Sequence, residues 1–354
     1  MSKRIIAMLL ALVMVFALCA CGNGGNGGNG SASDDVGDET YTIRIACENS
    51  DSYPATLGLY QMEKYVESHT NGKVQVEVCA SGQLGGEEET LEQVAQGNLE
   101  MAVASFAPVV SYVPEFEVMD IPFVYNSYAE AWMVLDSYVG TNLLDKMEAQ
   151  GLKGLAYMEN GMRQVTSNVS AINSVSDFKG VKLRTMQNNN HMESFSALGA
   201  NPTPVAFSEL YISLSQKVVD AQENPIANVT DKKLYEVQKY LSLTNHIYDA
   251  MPLVCNLEFF NSLPQAYQKV VQAGAIYAQE FSRFCNLERE DLILADLADK
   301  YGMQINEVSA DARAEMAAVA QPAVIKLVAK DIGQDAVDQY MNDVKDVLAQ
   351  ISKF

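Results

Sequence analysis

The segment GVKLRTMQNNNH, residues 180–191, places an arginine where an anion could be bound. Arg184 ends a short alternation of apolar and polar residues that is typical of a β-strand, and the uncharged amides of Gln187 and Asn188 follow it. A guanidinium presents a planar fork of N–H donors that matches both oxygens of a carboxylate. The segment therefore predicts either a carboxylate-binding arginine with amides beside it or a surface arginine on a polar turn.

Two further polar residues follow strand-like segments in the same part of the chain. Arg163 ends the segment LAYMENGMR, and Asn224 follows the segment VVDAQE. Ligands of open α/β sheets bind beyond the carboxyl ends of the strands, so both residues and Arg184 are candidates for one site. Spacing alone leaves open whether they meet in space, and each arginine could instead be a solvated or salt-bridged surface residue.

Alternating strands and helices must position these residues. The first cluster consists of TYTIRIAC, a helix that ends at Gly72, KVQVEVCA, EEETLEQVAQG and LEMAVASF. This βαβαβ order indicates a parallel sheet with helices on its faces. A similar cluster spans residues 153–225, and an unusually long helical segment covers residues 263–302. The pattern predicts an α/β fold with two lobes between which the chain crosses more than once.

Residues 1–20 have the pattern of a bacterial signal peptide. Lys3 and Arg4 precede the apolar stretch IIAMLLALVMVFA, which is short for a membrane span, and LCAC ends in Cys21. The pattern is similar to a lipobox, in which Cys21 would carry two acyl chains and anchor the protein to the cell membrane. The alternative is an ordinary signal peptide with an incidental cysteine. Residues 21–39, rich in Gly, Asn and acids, predict a flexible extracytoplasmic tether.

The charge of the chain excludes some partners. A formal net charge of −21 disfavours nucleic acid and anionic lipid surfaces, because both would be repelled.

Outside the signal peptide and Cys21 four cysteines remain, with no C-x-x-C pair: Cys47, Cys79, Cys255 and Cys285. We expect these to be mostly buried thiols, although their spacing does not exclude a disulfide.

An extracellular enzyme that acts on sugar acids is the alternative from another class. The histidines His69, His191 and His246 lack a metal-ligand spacing such as H-E-x-x-H, and no G-x-S-x-G nucleophile motif occurs. The acidic run 87–89 is explained by the first turn of a helix, where the helix dipole favours acids. The sequence therefore predicts a protein that is not an enzyme and has no metal site or cofactor.

Seven segments stand in the order known from one protein family. They are GKVQVEVCASGQLGGEEETLEQVAQGNLEMA (72–102), DIPFVY (120–125), GMRQVTSN (161–168), DFKGVKLRTM (177–186), LGANPTPVAFSELYISLSQKVVDAQENP (198–225), YEVQKYLSLTNH (235–246) and NSLPQAYQKVV (261–271). From about residue 40 to its C-terminal helices, the chain resembles the extracytoplasmic solute-binding proteins of tripartite ATP-independent periplasmic (TRAP) transporters. The segment 198–225 is the most specific of the seven.

The resemblance implies a type II periplasmic-binding-protein-like fold. Its two α/β lobes are joined by a hinge, a long helix runs along both, and the lobes close on an organic acid. We expect residues 40–161 with 252–290 to form lobe I, and residues 162–251 with 291–354 to form lobe II.

The resemblance also implies which residues bind the ligand. The hallmark arginine that pairs with the ligand carboxylate corresponds to Arg184, and a second arginine that often assists corresponds to Arg163. The other implied contacts are Asn224 in QENP, Phe207 in PVAFSE, Glu87 in QLGGE, Gln187 in a variable stretch that tunes the ligand, and Tyr53, which stands where many relatives carry His.

The implied function is capture of a small organic acid and its delivery to the small and large membrane permease subunits of a TRAP transporter. The ligand would be a sugar acid such as a uronate, or a C4-dicarboxylate. Amides and acids outnumber cations among the candidate residues, which slightly favours the sugar acid. A module that presents its ligand to a membrane sensor kinase is an alternative, and the sequence leaves the oligomeric state open.

Overall fold

The computed structural model describes residues 39–350. Their strands, β1–β10, are Tyr41–Ala46, Val74–Cys79, Met101–Val103, Leu152–Ser167, Lys182–Thr185, Asn201–Pro204, Ala221–Pro225, Tyr240–Leu243, Tyr248–Asn256 and Gln304–Glu307. Their α-helices, α1–α12, are Pro54–His69, Glu87–Ala95, Phe106–Val109, Tyr128–Leu135, Tyr138–Lys146, Asn189–Ala197, Leu210–Ser215, Ile226–Asp231, Leu257–Ser262, Gln265–Asp299, Ala310–Ile332 and Gln334–Leu348. The predicted signal peptide, Cys21 and the tether up to residue 38 lie outside the described residues.

The strands form a mixed sheet in the order β2-β1-β3-β9-β4-β7-β5-β6, with β8 beside β4 and β10 beside β8. The pairs β1–β2 and β5–β6 are parallel, as the helices between them require. The predicted α/β class is confirmed. The sheet is not wholly parallel, because β9 runs antiparallel to both β3 and β4. Local patterns do not carry this information, since strand direction depends on the long connections.

Strand β4 joins the two parts of the sheet. Leu152–Met162 pairs with β9, whereas Arg163–Ser167 pairs with β7, and the last three of these residues also pair with β8. One continuous strand therefore contributes to both parts of the sheet. The change of partner lies beside the boundary expected at residue 161, and the lobe boundaries stay predictions.

The long helix α10 contacts both parts. Val271 and Ala278 are buried in the cluster that includes strand β1, whereas Leu297 belongs to the cluster beneath helices α7 and α8. Gly58 of helix α1 allows the close approach of α10, because a Cβ there would lie 2.5 Å from the carbonyl oxygen of Ala278. The sequence predicted a long helix here, and the family resemblance implied that it runs along both lobes; the structure confirms the helix and its contacts to both parts of the sheet.

The four cysteines of the described region, Cys47, Cys79, Cys255 and Cys285, are buried and unpaired, which confirms the predicted thiols. Within residues 39–350 no group of His, Cys, Asp and Glu is arranged to hold a metal ion. No helix in the same range is long and apolar enough to cross a membrane.

Candidate functional site

A cavity of about 270 Å³ lies where the ends of several elements meet. Glu48 follows strand β1, Glu87 begins helix α2, Arg184 lies near the end of β5, and Phe207 begins a 3₁₀ turn. Its remaining walls are Gly86, Glu88, Glu89, Pro108, Met186, Gln187, Val205, Ala206 and Ser208. Sequence segments more than a hundred residues apart thus meet beyond the carboxyl ends of parallel strands, as expected for an open α/β sheet.

A smaller recess shares the walls formed by Glu87, Arg184, Met186 and Phe207. Amides and a hydroxyl line its inner side: Asn49, Ser105, Asn160, Asn224 and Asn228. Of the seven ligand contacts predicted from sequence, five therefore lie on this connected pair of cavities: Arg184, Phe207, Glu87, Gln187 and Asn224.

Arg184 is the buried cation of the cavity. Its side chain is 1% exposed, and its Nε donates a hydrogen bond of 2.8 Å to the carbonyl oxygen of Val205. Its Nη1 is buried and has no hydrogen-bond partner. Burial lowers the pKa of Arg184 to about 10, because the negative charge of Glu223 only partly offsets desolvation. The guanidinium thus stays charged at neutral pH, with donor capacity left unused.

Two of the four glutamates that line the same cavity, Glu48 and Glu87, are connected by a hydrogen bond. Oε1 of Glu87 accepts hydrogen bonds of 3.0 Å from the backbone N–H and from the hydroxyl of Ser105. The backbone N–H of Glu87 donates to Oε2 of Glu48, at 3.2 Å. Burial, and then the charge of Glu48, raise the pKa of Glu87 to about 8. At neutral pH Glu87 is mostly protonated and can donate as well as accept hydrogen bonds.

The inner amides form a connected network. Nδ2 of Asn49 donates to Oδ1 of Asn228 at 3.0 Å, and Nδ2 of Asn228 donates to Oδ1 of Asn160 at 3.1 Å. Oδ1 of Asn224 accepts a longer bond of 3.3 Å from Asn228. Side chains from strands β4 and β7, from helix α8 and from the segment after β1 are thereby fixed relative to one another.

Arg163 is not among the residues that line the two cavities. It is fully buried in strand β4, where its Nη2 donates to Glu223 Oε1 at 2.7 Å and its Nη1 to Asp249 Oδ2 at 2.8 Å. Its Nη2 also reaches Oδ1 of Asn224 at 3.3 Å. Burial lowers the pKa of Arg163, but the charge and hydrogen bonds of Glu223 and Asp249 outweigh this and raise it. Its donors are directed at the protein itself.

Two buried histidines complete this network around Glu223. Nε2 of His246 lies 3.1 Å from Oε2 of Glu223, and Nε2 of His191 lies 3.2 Å from Oδ1 of Asp120. Burial alone would lower the pKa of His191, but its interactions with Asp120 and Glu223 raise the pKa to about 9. Most of these ionic side chains bond to one another behind the cavity, although Nδ1 of His191 has no hydrogen-bond partner. Among the described residues that line the cavity, Arg184 is the guanidinium with an unpaired donor.

A model of the family described as bacterial extracellular solute-binding protein, family 7 (DctP), matches residues 45–331. The chain belongs to this family. Similar proteins include the 2,3-diketo-L-gulonate-binding periplasmic protein YiaO of Escherichia coli, 31% identical over 72% of this chain and 77% of that relative. The C4-dicarboxylate-binding periplasmic protein DctP of Rhodobacter capsulatus is 31% identical over 80% of this chain and 85% of its own length.

Among solved structures, the chain is similar to the sugar-acid-binding protein DctPAm of Advenella mimigardefordensis in complex with galactonate. That structure has a TM-score of 0.83 and 32% identity, and the match covers 87% of this chain and 99% of the other. The predicted TRAP solute-binding family and its two-lobe α/β fold are confirmed. The family is a transport family, and its location is extracytoplasmic.

In this solute-binding protein Tyr53 lies outside the two cavities. It is 2% exposed at the start of helix α1, and its hydroxyl donates to the side-chain oxygen of Asn160. It also lines a separate surface cleft beside Asp231 and Arg289. Tyr53 thus reaches the recess only through Asn160, and its expected ligand contact stays a prediction.

Phe207 and Gln187 are two further predicted contacts that line the cavity. The ring of Phe207 is half-buried, and Nζ of Lys232 lies 4.5 Å from its centroid. Gln187 is exposed, two positions after strand β5.

Glu48 and the recess residues Asn49 and Asn160 were missed by the sequence analysis. The signal for the first two was available, because they directly follow strand β1 at its carboxyl end.

Proposed function

We propose that this solute-binding protein captures a small organic acid by pairing its carboxylate with Arg184. The observation that supports this is the buried, charged guanidinium whose Nη1 has no partner although it lines a cavity. A buried cation without a partner is costly, and a ligand carboxylate would offset that cost with charge-assisted hydrogen bonds. Asn224 and Phe207 would complete the pocket, and Arg163 would hold Asn224 in place rather than touch the ligand.

The charges of the cavity favour a sugar acid over a C4-dicarboxylate. Among the described residues that line the cavity and its recess, Arg184 is the one cation, whereas Glu48, Glu87, Glu88 and Glu89 are acids. A second ligand carboxylate would face these acids, whereas ligand hydroxyls could bond to Glu87 and to the amides. The galactonate complex of a relative agrees with this preference, and the C4-dicarboxylate relative gives the alternative.

Capture would proceed by closure of the two lobes. Glu48 and Glu87 come from one part of the sheet, and Arg184 and Phe207 from the other, so a ligand between them contacts both. Contacts to both lobes would favour the closed form over the open form. The loaded protein, anchored to the membrane through Cys21, would then deliver the acid to TRAP permease subunits without chemical change.

A thermal-shift and calorimetric screen of the protein without its first 35 residues tests the proposal. The panel is D-galactonate, D-galacturonate, succinate and the neutral sugar D-galactose. A ligand at about 100 times its dissociation constant stabilises the fold by about 2.7 kcal/mol, which raises the melting temperature visibly. We expect the sugar acids to do so and galactose not to. Stabilisation by galactose alone would refute carboxylate capture.

A further inference from the structure

Two buried side chains of opposite character face the cavity without partners. Nη1 of Arg184 is a donor without an acceptor, and Oε1 of Glu48 is an acceptor without a donor. Both belong to side chains more than nine-tenths buried, at 1% and 8% exposure, and both line the cavity of about 270 Å³. Six other buried side-chain atoms of the described residues also lack partners, but none of them belongs to a residue that lines the cavity or its recess. The pair therefore indicates what a ligand in this cavity would supply.

We propose that Glu48 is a specificity-determining residue that accepts a hydrogen bond from a ligand hydroxyl and excludes a second ligand carboxylate. The ligand class is then a hydroxy acid that has one carboxylate for Arg184 and at least one hydroxyl within reach of Glu48. This inference rests on the proposed function, because it takes the carboxylate of the ligand to lie on Arg184.

The surroundings of Glu48 fix its role as an acceptor. Its Oε2 is already bonded to the backbone N–H of Glu87, so Oε1 is the free atom. Burial raises the pKa of Glu48, whereas the positive charges of Lys232 and Arg184 act against this rise and favour its ionised form. The pKa of Glu87 is also raised, by burial and by the charge of Glu48, and no cation is among the groups that lower it. Because Lys232 and Arg184 act on Glu48, we infer that a proton shared by this pair lies on Glu87 and the negative charge on Glu48.

An ionised carboxylate at position 48 attracts a ligand hydroxyl and repels a second ligand carboxylate. A hydroxyl donates its hydrogen to Oε1 and satisfies it, whereas a carboxylate has only acceptor oxygens and repels it. Succinate would therefore leave Oε1 unpaired and place a like charge beside it. An aldonate such as galactonate would satisfy both partnerless atoms at once.

The test is isothermal titration of the purified protein and its variants with D-galactonate, D-erythronate, succinate and hexanoate. Hexanoate matches galactonate in chain length and carboxylate but lacks the hydroxyls. We expect the wild type to bind a hydroxy acid at least tenfold more tightly than succinate or hexanoate. Hexanoate leaves the buried acceptor of Glu48 unpaired, and succinate also places a like charge beside it. Each of these effects weakens binding by about tenfold or more.

Two variants of Glu48 separate its hydrogen bond from its charge. Glu48→Ala should weaken binding of the hydroxy acid about tenfold, and it should not weaken binding of hexanoate, which has no hydroxyl to donate. Glu48→Gln keeps an acceptor oxygen but removes the charge, so the preference for hydroxy acid over succinate should narrow by about tenfold. Glu92→Gln is the matched control, because Glu92 is an exposed acid of helix α2 away from the cavity, and the preference should not change.

The outcomes distinguish this inference from the proposed function. If both Glu48 variants keep the wild-type preference while Arg184→Ala abolishes binding, the role of Glu48 is refuted and carboxylate capture stands. Unchanged binding in Arg184→Ala refutes the proposed function itself. A wild type that binds succinate as tightly as the hydroxy acids, or that binds no hydroxy acid of the panel, refutes the role of Glu48. Melting curves of each variant identify a loss of fold, in which case the isosteric Glu48→Gln decides the result.

Discussion

Arg184 and Arg163 are two fully buried arginines in neighbouring parts of one sheet, yet their surroundings are opposite. Arg163 directs its donors at Glu223, Asp249 and Asn224. Arg184 bonds to one backbone carbonyl and leaves Nη1 without a partner at a cavity wall. The pKa values differ accordingly, because the pKa of Arg163 is raised and the pKa of Arg184 is lowered to about 10. One arginine is satisfied by the fold, and the other keeps an unpaired donor for the ligand that we propose.

The comparison shows that burial of a charge is not by itself a sign of a binding site. A buried charge with its partners in place belongs to the structure, and its removal leaves other charges unpaired. A buried charge without partners makes the empty protein less stable than it could be and marks the place where an anion binds. The two arginines should therefore respond in opposite ways when they are replaced.

The largest effect is expected for Arg163→Met. Glu223 and Asp249 would lose their common cation in a buried site, so the free energy of unfolding should fall by roughly 3–5 kcal/mol. Urea unfolding of the ligand-free protein measures this loss. Arg184→Met is the matched control, and its stability without ligand should be unchanged or higher. Equal losses in the two variants would show that the arginines do not differ.

Binding should separate the same two residues in the other direction. Arg184→Ala should weaken the affinity for the bound sugar acid by about 2–5 kcal/mol, because it removes one partner of a buried charge pair. Calorimetric titration measures this change. Arg184→Lys keeps the charge but loses the planar fork, so it should recover only part of the affinity. A dissociation constant that stays at the wild-type value in Arg184→Ala would contradict the assignment.

The sequence correctly placed Arg184 near the end of its strand, whereas Arg163 lies inside strand β4 and Asn224 inside strand β7, contrary to expectation. The state of each side chain could not be predicted. Arg184 and Glu87 were predicted site residues, and both line the cavity. The difference between Arg184 and Arg163 could not be predicted, because the partners of Arg163 lie 60 and 86 residues further along the chain. Glu48 was missed although the sequence showed that it follows strand β1. An acidic residue is not expected to line a site that binds an anion.

The acidic side of the cavity predicts a dependence of stability on pH. The pKa of Glu87 is raised from 4.5 to about 8, so the ligand-free fold binds a proton that the unfolded chain releases in that range. Stability from this group is therefore complete below pH 4.5 and is lost as the pH rises to 8. The stability of Glu87→Gln relative to the wild type should increase across this window, as measured by urea midpoints from pH 5 to 9. A constant difference would show that Glu87 titrates normally.

The smallest effect is expected at Tyr53. Its replacement distinguishes residues that contact the ligand from residues that only hold those contacts in place. Tyr53→Phe removes one hydrogen bond to Asn160 and opens no space, so stability should fall by about 0.5–1.5 kcal/mol. Tyr60→Phe in the same helix is the control, because its hydroxyl bonds to exposed Asp51 and its loss should cost less. Since Tyr53 reaches the recess only through Asn160, calorimetry should show sugar-acid affinity reduced less than in Arg184→Ala. A loss in Tyr53→Phe as large as in Arg184→Ala would instead make Tyr53 a direct ligand contact.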